Sequence, residues 1–260
     1  MKRKRVIFGL LLLIPLTSCQ ILEKYGKYED ASKYKVIDSN GETYNESLKN
    51  IDISWVKGDV TIAPTTEYNG VTIFEKTTEK FESEFLCHVY RDKNFLNVKY
   101  CGSDLSLPKN LDKDLIIYVP TTITLDEISI DCVSASVSIG EINCKSIEIN
   151  NVSGSVSINK VNTEEIEYEG VSGSFTAVIN ESTKEVSVDQ VSGSTIISVP
   201  SSIAGFNVDF DTTSGSFSSD FETIKKENNY YYDNGNKDQI HIDFDSVSGS
   251  LSVTKHKVEN

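Results

Sequence analysis

The sequence predicts an all-β protein, a single-stranded β-helix (β-solenoid) with coils of about 19–22 residues and right-handed winding favoured. Three observations support this prediction. The motif valine-serine-glycine-serine recurs along the chain, apolar residues alternate on both sides of it, and neighbouring copies start at nearly constant spacing. Alternation with a period of two is typical of a strand that has one buried side.

The repeat is defined by a twelve-residue template that seven segments fit without gaps. Apolar residues occupy positions one and three and most of positions ten and twelve, valine usually occupies position six, and glycine usually occupies position eight. The segments begin at Ile51, Ile128, Ile147, Ile166, Val186, Val208 and Ile242. One coil cannot bury its apolar side alone, so each coil is expected to stack on the preceding one at about 4.8 Å. The shared core would contain the isoleucines and valines.

The glycine at position eight predicts a corner between two short strands, where the backbone is tightly bent or closely approached. Serine hydroxyls beside it can bond to backbone groups. The predicted corner glycines are Gly58, Gly154, Gly173, Gly193, Gly215 and Gly249, and Ala135 takes this position in one copy. Equivalent glycines should lie above one another along the stack. A β-sandwich or barrel is the structural alternative.

The N-terminus predicts a lipoprotein signal peptide over residues 1–18. Four basic residues precede an apolar run too short to span a bilayer, and small residues precede Cys19. Acylation of Cys19 would attach the mature protein to a bacterial membrane. The expected location is extracytoplasmic, at the periplasmic face or the cell surface.

Two further regions follow the signal peptide. Residues 19–40 are charged and lack sustained alternation, which predicts a tether. Residues 41–260 form the predicted solenoid domain. Within it, residues 70–127 keep the repeat phase less well but contain strand patterns in FLCHVY, FLNVKY and DLIIYVP.

The charge of the chain excludes partners that need a basic surface. Removing residues 1–18 takes away four positive charges and no negative one, so the formal charge falls from −14 to −18. Nucleic acid is therefore not an expected partner. Arg91 is then the single remaining arginine, which disfavours an enzyme that acts on acidic polysaccharides, although such a β-helix enzyme remains the catalytic alternative. An acidic surface that captures cationic peptides is another alternative.

Four cysteines remain after Cys19, and an even number in an exported chain predicts disulfides. Cys87 with Cys101 and Cys132 with Cys144 is the most local pairing. A zinc site is disfavoured because no C-x-x-C pair occurs and the histidines are scattered. No cofactor or metal is predicted.

Aromatic residues supply the candidate binding site. Tyr230, Tyr231 and Tyr232 lie in the segment that interrupts the last two repeats, beside an Asn-Gly turn signal. Loops carry function disproportionately, so these tyrosines are placed first as ligand contacts. Trp55 is expected to pack near the first coil. No catalytic residue is predicted, since VSGS lacks the strand-turn-helix setting of a nucleophile and recurs many times.

The ordered set of motifs resembles the "putative-adhesin" domain family of bacterial cell-envelope proteins. The resembling stretches are WVKGDVTI, YVPTTITLDEISIDCVSASVSI, the VSGS coils and NGNKDQIHIDFDSVSGSLSV, which together cover about residues 51–254. The resemblance implies a single-stranded β-helix without established catalytic residues. The expected function is a non-catalytic structural, adhesion or ligand-binding module, with a glycan or an envelope protein as its ligand.

Overall fold

The computed structural model describes residues 25–37, 39–45, 47–233 and 240–257. Nearly all of the regular structure is strand, with two short 3₁₀ helices at Ala31–Lys33 and Ser83–Phe85. The strands are β1 (Lys35–Val36), β2 (Glu42–Tyr44), β3 (Asn50–Thr65), β4 (Val71–Thr77), β5 (His88–Asp92), β6 (Phe95–Lys99), β7 (Lys113–Pro120), β8 (Thr124–Ile139), β9 (Asn143–Ser153), β10 (Val156–Asn159), β11 (Glu165–Val178), β12 (Glu185–Pro200), β13 (Gly205–Thr212), β14 (Ser216–Ser219), β15 (Ile224–Lys226), β16 (Asn229–Asp233) and β17 (Ile240–His256). The all-β prediction is confirmed.

Parallel pairing in the predicted register joins the coils. Ile147 lies opposite Ile128 and Ile166, and Ile166 in turn lies opposite Val186. Each strand therefore places position one of the template beside position one of its neighbours. This is the β-solenoid that the repeat predicts. The handedness of the winding stays a prediction.

The order of the coils differs from the serial order expected from the sequence. Strand β17 lies between β12 and β13, because Ile242 pairs with Val186 on one side and Val208 on the other. Strand β3 is likewise inserted, between β8 on one side and β6 with β7 on the other. The prediction that every coil stacks on the preceding one is wrong at both ends. All copies share one template, so pairing preferences in the sequence cannot rank their neighbours.

The core lies inside the coil and is built by the alternating positions. In the third copy, Ile147, Ile149, Val156 and Ile158 are at most 1% exposed. A return segment closes the coil and contributes further buried residues such as Ile142. Stacking makes these side chains continuous with those of the neighbouring coils, as expected for a solenoid.

The corner glycines form the predicted column. Gly173 lies opposite Gly193, and Gly193 lies opposite Gly249. Gly154 and Gly173 have φ values of +124° and +136°, a region that L-residues rarely adopt. A Cβ atom on Gly173 would lie 2.1 Å from the carbonyl oxygen of Gly154. The glycine therefore lets the backbones of adjacent coils approach one another.

The corner serines also have the predicted role. Ser153 Oγ donates to the carbonyl oxygen of Val133 at 3.3 Å, and Ser192 Oγ donates to that of Val171 at 3.3 Å. Each hydroxyl thus bonds to the backbone of the neighbouring coil. The repeated serine at this position ties one corner to the next.

Three of the valines at position six do not belong to the core, contrary to expectation, whereas Val56 is buried as expected. Val152, Val191 and Val247 are 36–38% exposed on the outside of the corner. The strand bends at the glycine, and position five points inward instead. Residues at position five are Trp55, Cys132, Asn151, Gly170, Gln190, Ser246 and Thr212.

Antiparallel strands cover both ends of the stack. At one end β4 pairs with β7, and β5 pairs with β6; β2 and β1 then add the outer strands. At the other end β16 pairs with β13, and β15 pairs with β16. The outermost strands β1, β2, β14 and β15 have at most four residues. Short edge strands limit end-to-end aggregation of sheets.

Part of the predicted tether packs on the domain. The Tyr25 amide donates to the carbonyl oxygen of Leu105 at 2.7 Å, and β1 pairs with β5. Ile37 is buried. The segment that can act as a free tether therefore ends near Tyr25. The signal peptide and Cys19 lie outside the described residues, as does the Asn-Gly turn signal.

Substituting Gly173→Ala should lower the free energy of unfolding by about 2–4 kcal/mol, because the new methyl group meets a backbone carbonyl in an unfavourable φ region. Urea unfolding measures this. Gly26→Ala is the matched control, since a Cβ there meets nothing within 4 Å. Equal stability of the two variants would contradict the close approach at the corner.

Candidate functional site

Acidic side chains line the outer side of the strand segments that precede the corner. We call this surface the acidic face. In register, Glu169 lies beside Asp189, Asp189 beside Asp245, and Asp245 beside Asp211. Its members are Asp131, Glu148, Glu167, Glu169, Asp189, Asp209, Asp211, Asp243 and Asp245. Strand spacing sets neighbouring members about 4.8 Å apart.

The electrostatic cost of this arrangement is evident at Asp245. Partial burial, and after it the charges of Asp243, Asp211 and Asp209, together raise its pKa from 3.8 to about 6. Asp189 is its register neighbour on the other side. The acidic face therefore holds carboxylates that repel one another at neutral pH.

The outer side of the strand segments that follow the corner has a different character. We call it the hydroxyl face. Its two central rows are Ser136, Ser155, Ser174, Ser194, Ser250 and Ser216, and Thr61, Ser138, Ser157, Thr176, Ile196, Ser252 and Ser218. Ser155 Oγ and Ser174 Oγ lie 3.1 Å apart, as do Ser218 Oγ and Ser252 Oγ. At one end the first row continues into Asp59, which lies opposite Ser136.

An aromatic group continues the hydroxyl face toward the β4 end of the stack. We call Tyr68, Phe74 and Tyr118 the aromatic platform. The ring centroids of Tyr68 and Tyr118 are 5.6 Å apart, and those of Phe74 and Tyr118 are 5.9 Å apart. All three side chains are half-buried. Sequence reasoning missed this group, although the outward phase of Tyr118 in KDLIIYVP was the available signal.

The three tyrosines predicted as ligand contacts lie in strand β16, not in a loop. Tyr230 stacks on Phe217 with centroids 4.0 Å apart, and Tyr232 packs on Phe221 at 4.6 Å. Tyr231 lies opposite Ile224, with Lys226 near its ring. Two of the three tyrosines thus cover the end of the core, since Tyr230 and Tyr232 pack against it. Their role in binding stays a prediction.

A buried charged pair lies at the opposite end of the core. The Lys113 side chain is fully buried and its Nζ lies 2.5 Å from Glu75 Oε1. It also donates to the carbonyl oxygen of Phe85 at 2.6 Å and lies 4.5 Å from the Tyr100 ring centroid. Trp55 Nε1 donates to the Lys113 carbonyl oxygen at 3.1 Å. Trp55 therefore packs near the first coil as predicted, and the lysine has partners on several sides.

A cleft of about 740 Å³ opens beside this pair. Glu75, Glu79, Asp112 and Asp114 are among its lining residues, with three lysines and several apolar side chains. The carboxylates are each used within the fold. Glu75 Oε1 accepts from the Cys87 amide, and Glu79 accepts from Asn110; Asp112 pairs with Lys57, and Asp114 accepts from the Asp59 amide.

The predicted disulfides are absent, because Cys87, Cys101, Cys132 and Cys144 are buried free thiols. Cys132 lies opposite Trp55, whereas Cys144 lies opposite Leu125, so the two occupy different columns of the coil. Burial raises the pKa of both thiols to about 12. Cys101 Sγ lies 3.4 Å from the Gly102 carbonyl oxygen, and burial raises the pKa of Cys87.

Within the described ranges, no group of three or more His, Cys, Asp or Glu side chains is placed to hold a metal ion. Over the same residues, no helix is long and apolar enough to cross a membrane.

Comparison with known proteins places this architecture in a family. The family model described as Toastrack DUF4097 matches residues 44–254. A crystal structure described as a "putative cell adhesion protein" from Clostridium sporogenes is 14% identical, with a TM-score of 0.47, and the match covers 86% of this chain and 98% of that chain. A "putative adhesin" from Bacteroides fragilis is 11% identical, with a TM-score of 0.33, and covers 85% and 97%. None of the curated proteins matches the chain.

Replacing Lys113 by Ala should destabilise the protein by about 3–5 kcal/mol, because Glu75 would remain as an unpaired buried charge. The double variant Lys113→Met with Glu75→Leu should recover much of this loss. Thermal and urea unfolding of the three proteins measure the effect. If the Lys113→Ala variant were as stable as the wild type, the conclusion that the pair is buried would be wrong.

Asp245→Asn should remove part of the pH dependence of stability. The folded-state pKa of Asp245 lies above the ordinary value, so this group favours folding most below about pH 4 and loses that contribution as pH rises to about 6. The variant should therefore be more stable than the wild type at pH 7. Urea unfolding between pH 4 and pH 7 measures the difference, with Asp59→Asn as the charge-matched control. An unchanged slope would contradict the raised pKa.

Proposed function

The chain belongs to the Toastrack family, and on that premise we propose that it is a non-catalytic, lipid-anchored binding module of the bacterial cell envelope. The observation that carries the proposal is the rigid stack itself. It presents two long outer surfaces of different chemistry, the acidic face and the hydroxyl face, each built from many coils. Repeated surfaces of this kind suit extended ligands, because each coil offers an equivalent contact.

The position of the N-terminus supports an anchored orientation. Tyr25 contacts Leu105 at the end of the stack that contains Lys113 and the cleft. Tyr25 lies six positions after Cys19, which corresponds to a reach of at most about 20 Å. An acylated Cys19 would therefore hold this end close to the bilayer and direct the β16 end away from it.

The anchor is tested with the Cys19→Ser variant of the full chain. Wild-type protein should incorporate radiolabelled palmitate and remain in the membrane fraction, whereas the variant should do neither. Retention of purified envelope fragments by the wild-type protein then measures adhesion. Equal labelling of both proteins would refute anchoring at Cys19, and failure to retain any envelope fraction would refute the binding function.

The cleft beside Lys113 favours the catalytic alternative, since carboxylates and lysines line it together. Its carboxylates already have partners within the fold, so we expect no turnover. Reducing-end release from polygalacturonate measures this for the wild type. Release that is lost in Glu79→Gln, with unchanged stability, would establish an enzyme and overturn the non-catalytic proposal.

The acidic face favours another alternative, the capture of cationic peptides. Binding through this face should weaken steeply as salt rises from 50 to 500 mM, because screening shortens the reach of surface charges. Titration with a labelled polylysine peptide measures it. Salt-independent binding of that peptide would exclude the acidic face as its site.

A further inference from the structure

We propose that the hydroxyl face and the aromatic platform together form a binding site for a neutral polysaccharide chain that lies along the solenoid axis. This inference rests on the proposed binding function and identifies its surface and ligand class. It differs from the site expected from the sequence, since Tyr230 and Tyr232 pack against the core.

The aromatic platform supplies the apolar part of the site. A sugar ring has a C–H side that packs on an aromatic ring, and tyrosine adds a hydroxyl at its edge. Tyr118 lies opposite Ala63 of β3, so it shares the outer side with Thr61. Tyr68 reaches both other rings from the β3–β4 connection. The platform therefore joins the hydroxyl rows on one surface.

The hydroxyl rows supply the polar part of the site. Each serine or threonine hydroxyl both donates and accepts, as does each hydroxyl of a sugar. The rows repeat at about 4.8 Å, so they present a regular series of such groups. Ile196 is 39% exposed within the second row and adds an apolar step.

The charge distribution selects a neutral ligand. The central rows from β8 to β14 contain no Asp, Glu, Lys or Arg, in a chain in which a quarter of the residues are charged. The acidic face lies on the other side of the corner. A polymer of uronic acids would bring negative charge to a protein that is already acidic and would find no arginine on this surface to pair with.

The dimensions of the surface suit a chain of several sugars. The outer side is continuous through β4, β7, β3, β8, β10, β11, β12, β17 and β14. At the usual strand spacing these strands extend over about 38 Å. A small sugar would contact a few coils, whereas a polymer can contact them all.

The test compares the retardation of the full chain, solubilised in detergent, during electrophoresis through gels that contain mannan, soluble starch, β-glucan or polygalacturonate. We expect retardation by at least one neutral polymer, little change between 50 and 500 mM salt, and none by polygalacturonate. Ser157→Glu places a charge between Ser138 and Thr176, and Tyr68→Ala removes part of the platform. Each should weaken binding by about tenfold.

Ser129→Glu is the matched control, because it makes the same change on the acidic side of the coil. It should bind within about twofold of the wild type, and unfolding curves should show all three variants folded. Loss of binding in Ser129→Glu equal to that in Ser157→Glu would overturn the assignment, as would retardation by polygalacturonate alone.

Two further outcomes separate this inference from the proposed function. If wild type and Ser157→Glu retain envelope fragments equally, the binding function stands and the hydroxyl face is not its site. If light scattering shows a dimer that Ser157→Glu dissociates, the face joins two copies of the chain and the polysaccharide assignment fails. If no envelope fragment is retained at all, the proposed function itself fails.

Discussion

Backbone contact at the glycine corner is the constraint on which the rest of this structure depends. A Cβ atom on Gly193 would lie 2.0 Å from the Gly173 carbonyl oxygen, and one on Gly215 would lie 2.0 Å from that of Gly249. At these corners the coils keep strand spacing through the bend because a side chain is missing, and Ala135 is the one position-eight residue with a Cβ atom, lying opposite Gly58. The parallel register, the shared core and the straight outer rows all follow from that spacing.

The corner also explains how the interior and the surface are divided. Because the strand bends at position eight, Asn151 and Gln190 at position five turn inward while Val152 and Val191 at position six turn outward. After the bend, inward and outward side chains alternate again, and the outward ones now form the second outer surface. Acidic residues precede the bend and hydroxyl residues follow it, so one bend repeated in every coil separates two surfaces of different chemistry.

The two ends of the stack differ from its middle, because the repeated sheet terminates there. Strands β3 and β17 are among the longest strands and lie inside the stack, where both of their edges are paired. Shorter strands and aromatic clusters, such as Phe217 with Tyr230, cover the ends. Lys113, which is buried beside Glu75 and Tyr100, also helps to cover an end of the stack. It fills that end of the core with polar groups that have interaction partners.

The sequence by itself determined the unit: two strand segments, a glycine at their junction, a serine that ties neighbouring corners, and the register of every copy. Those features are local, and a period of two with a fixed glycine expresses them directly. Only the tertiary structure decided which copies are neighbours, because the coils at Ile166, Val186 and Ile242 offer equivalent surfaces to one another. It also decided that Val152 is exposed, that Cys132 and Cys144 are apart, and that Tyr68 joins Tyr118. Those outcomes depend on the direction of the bend and on contacts between distant segments. Neither can be predicted from the repeat pattern.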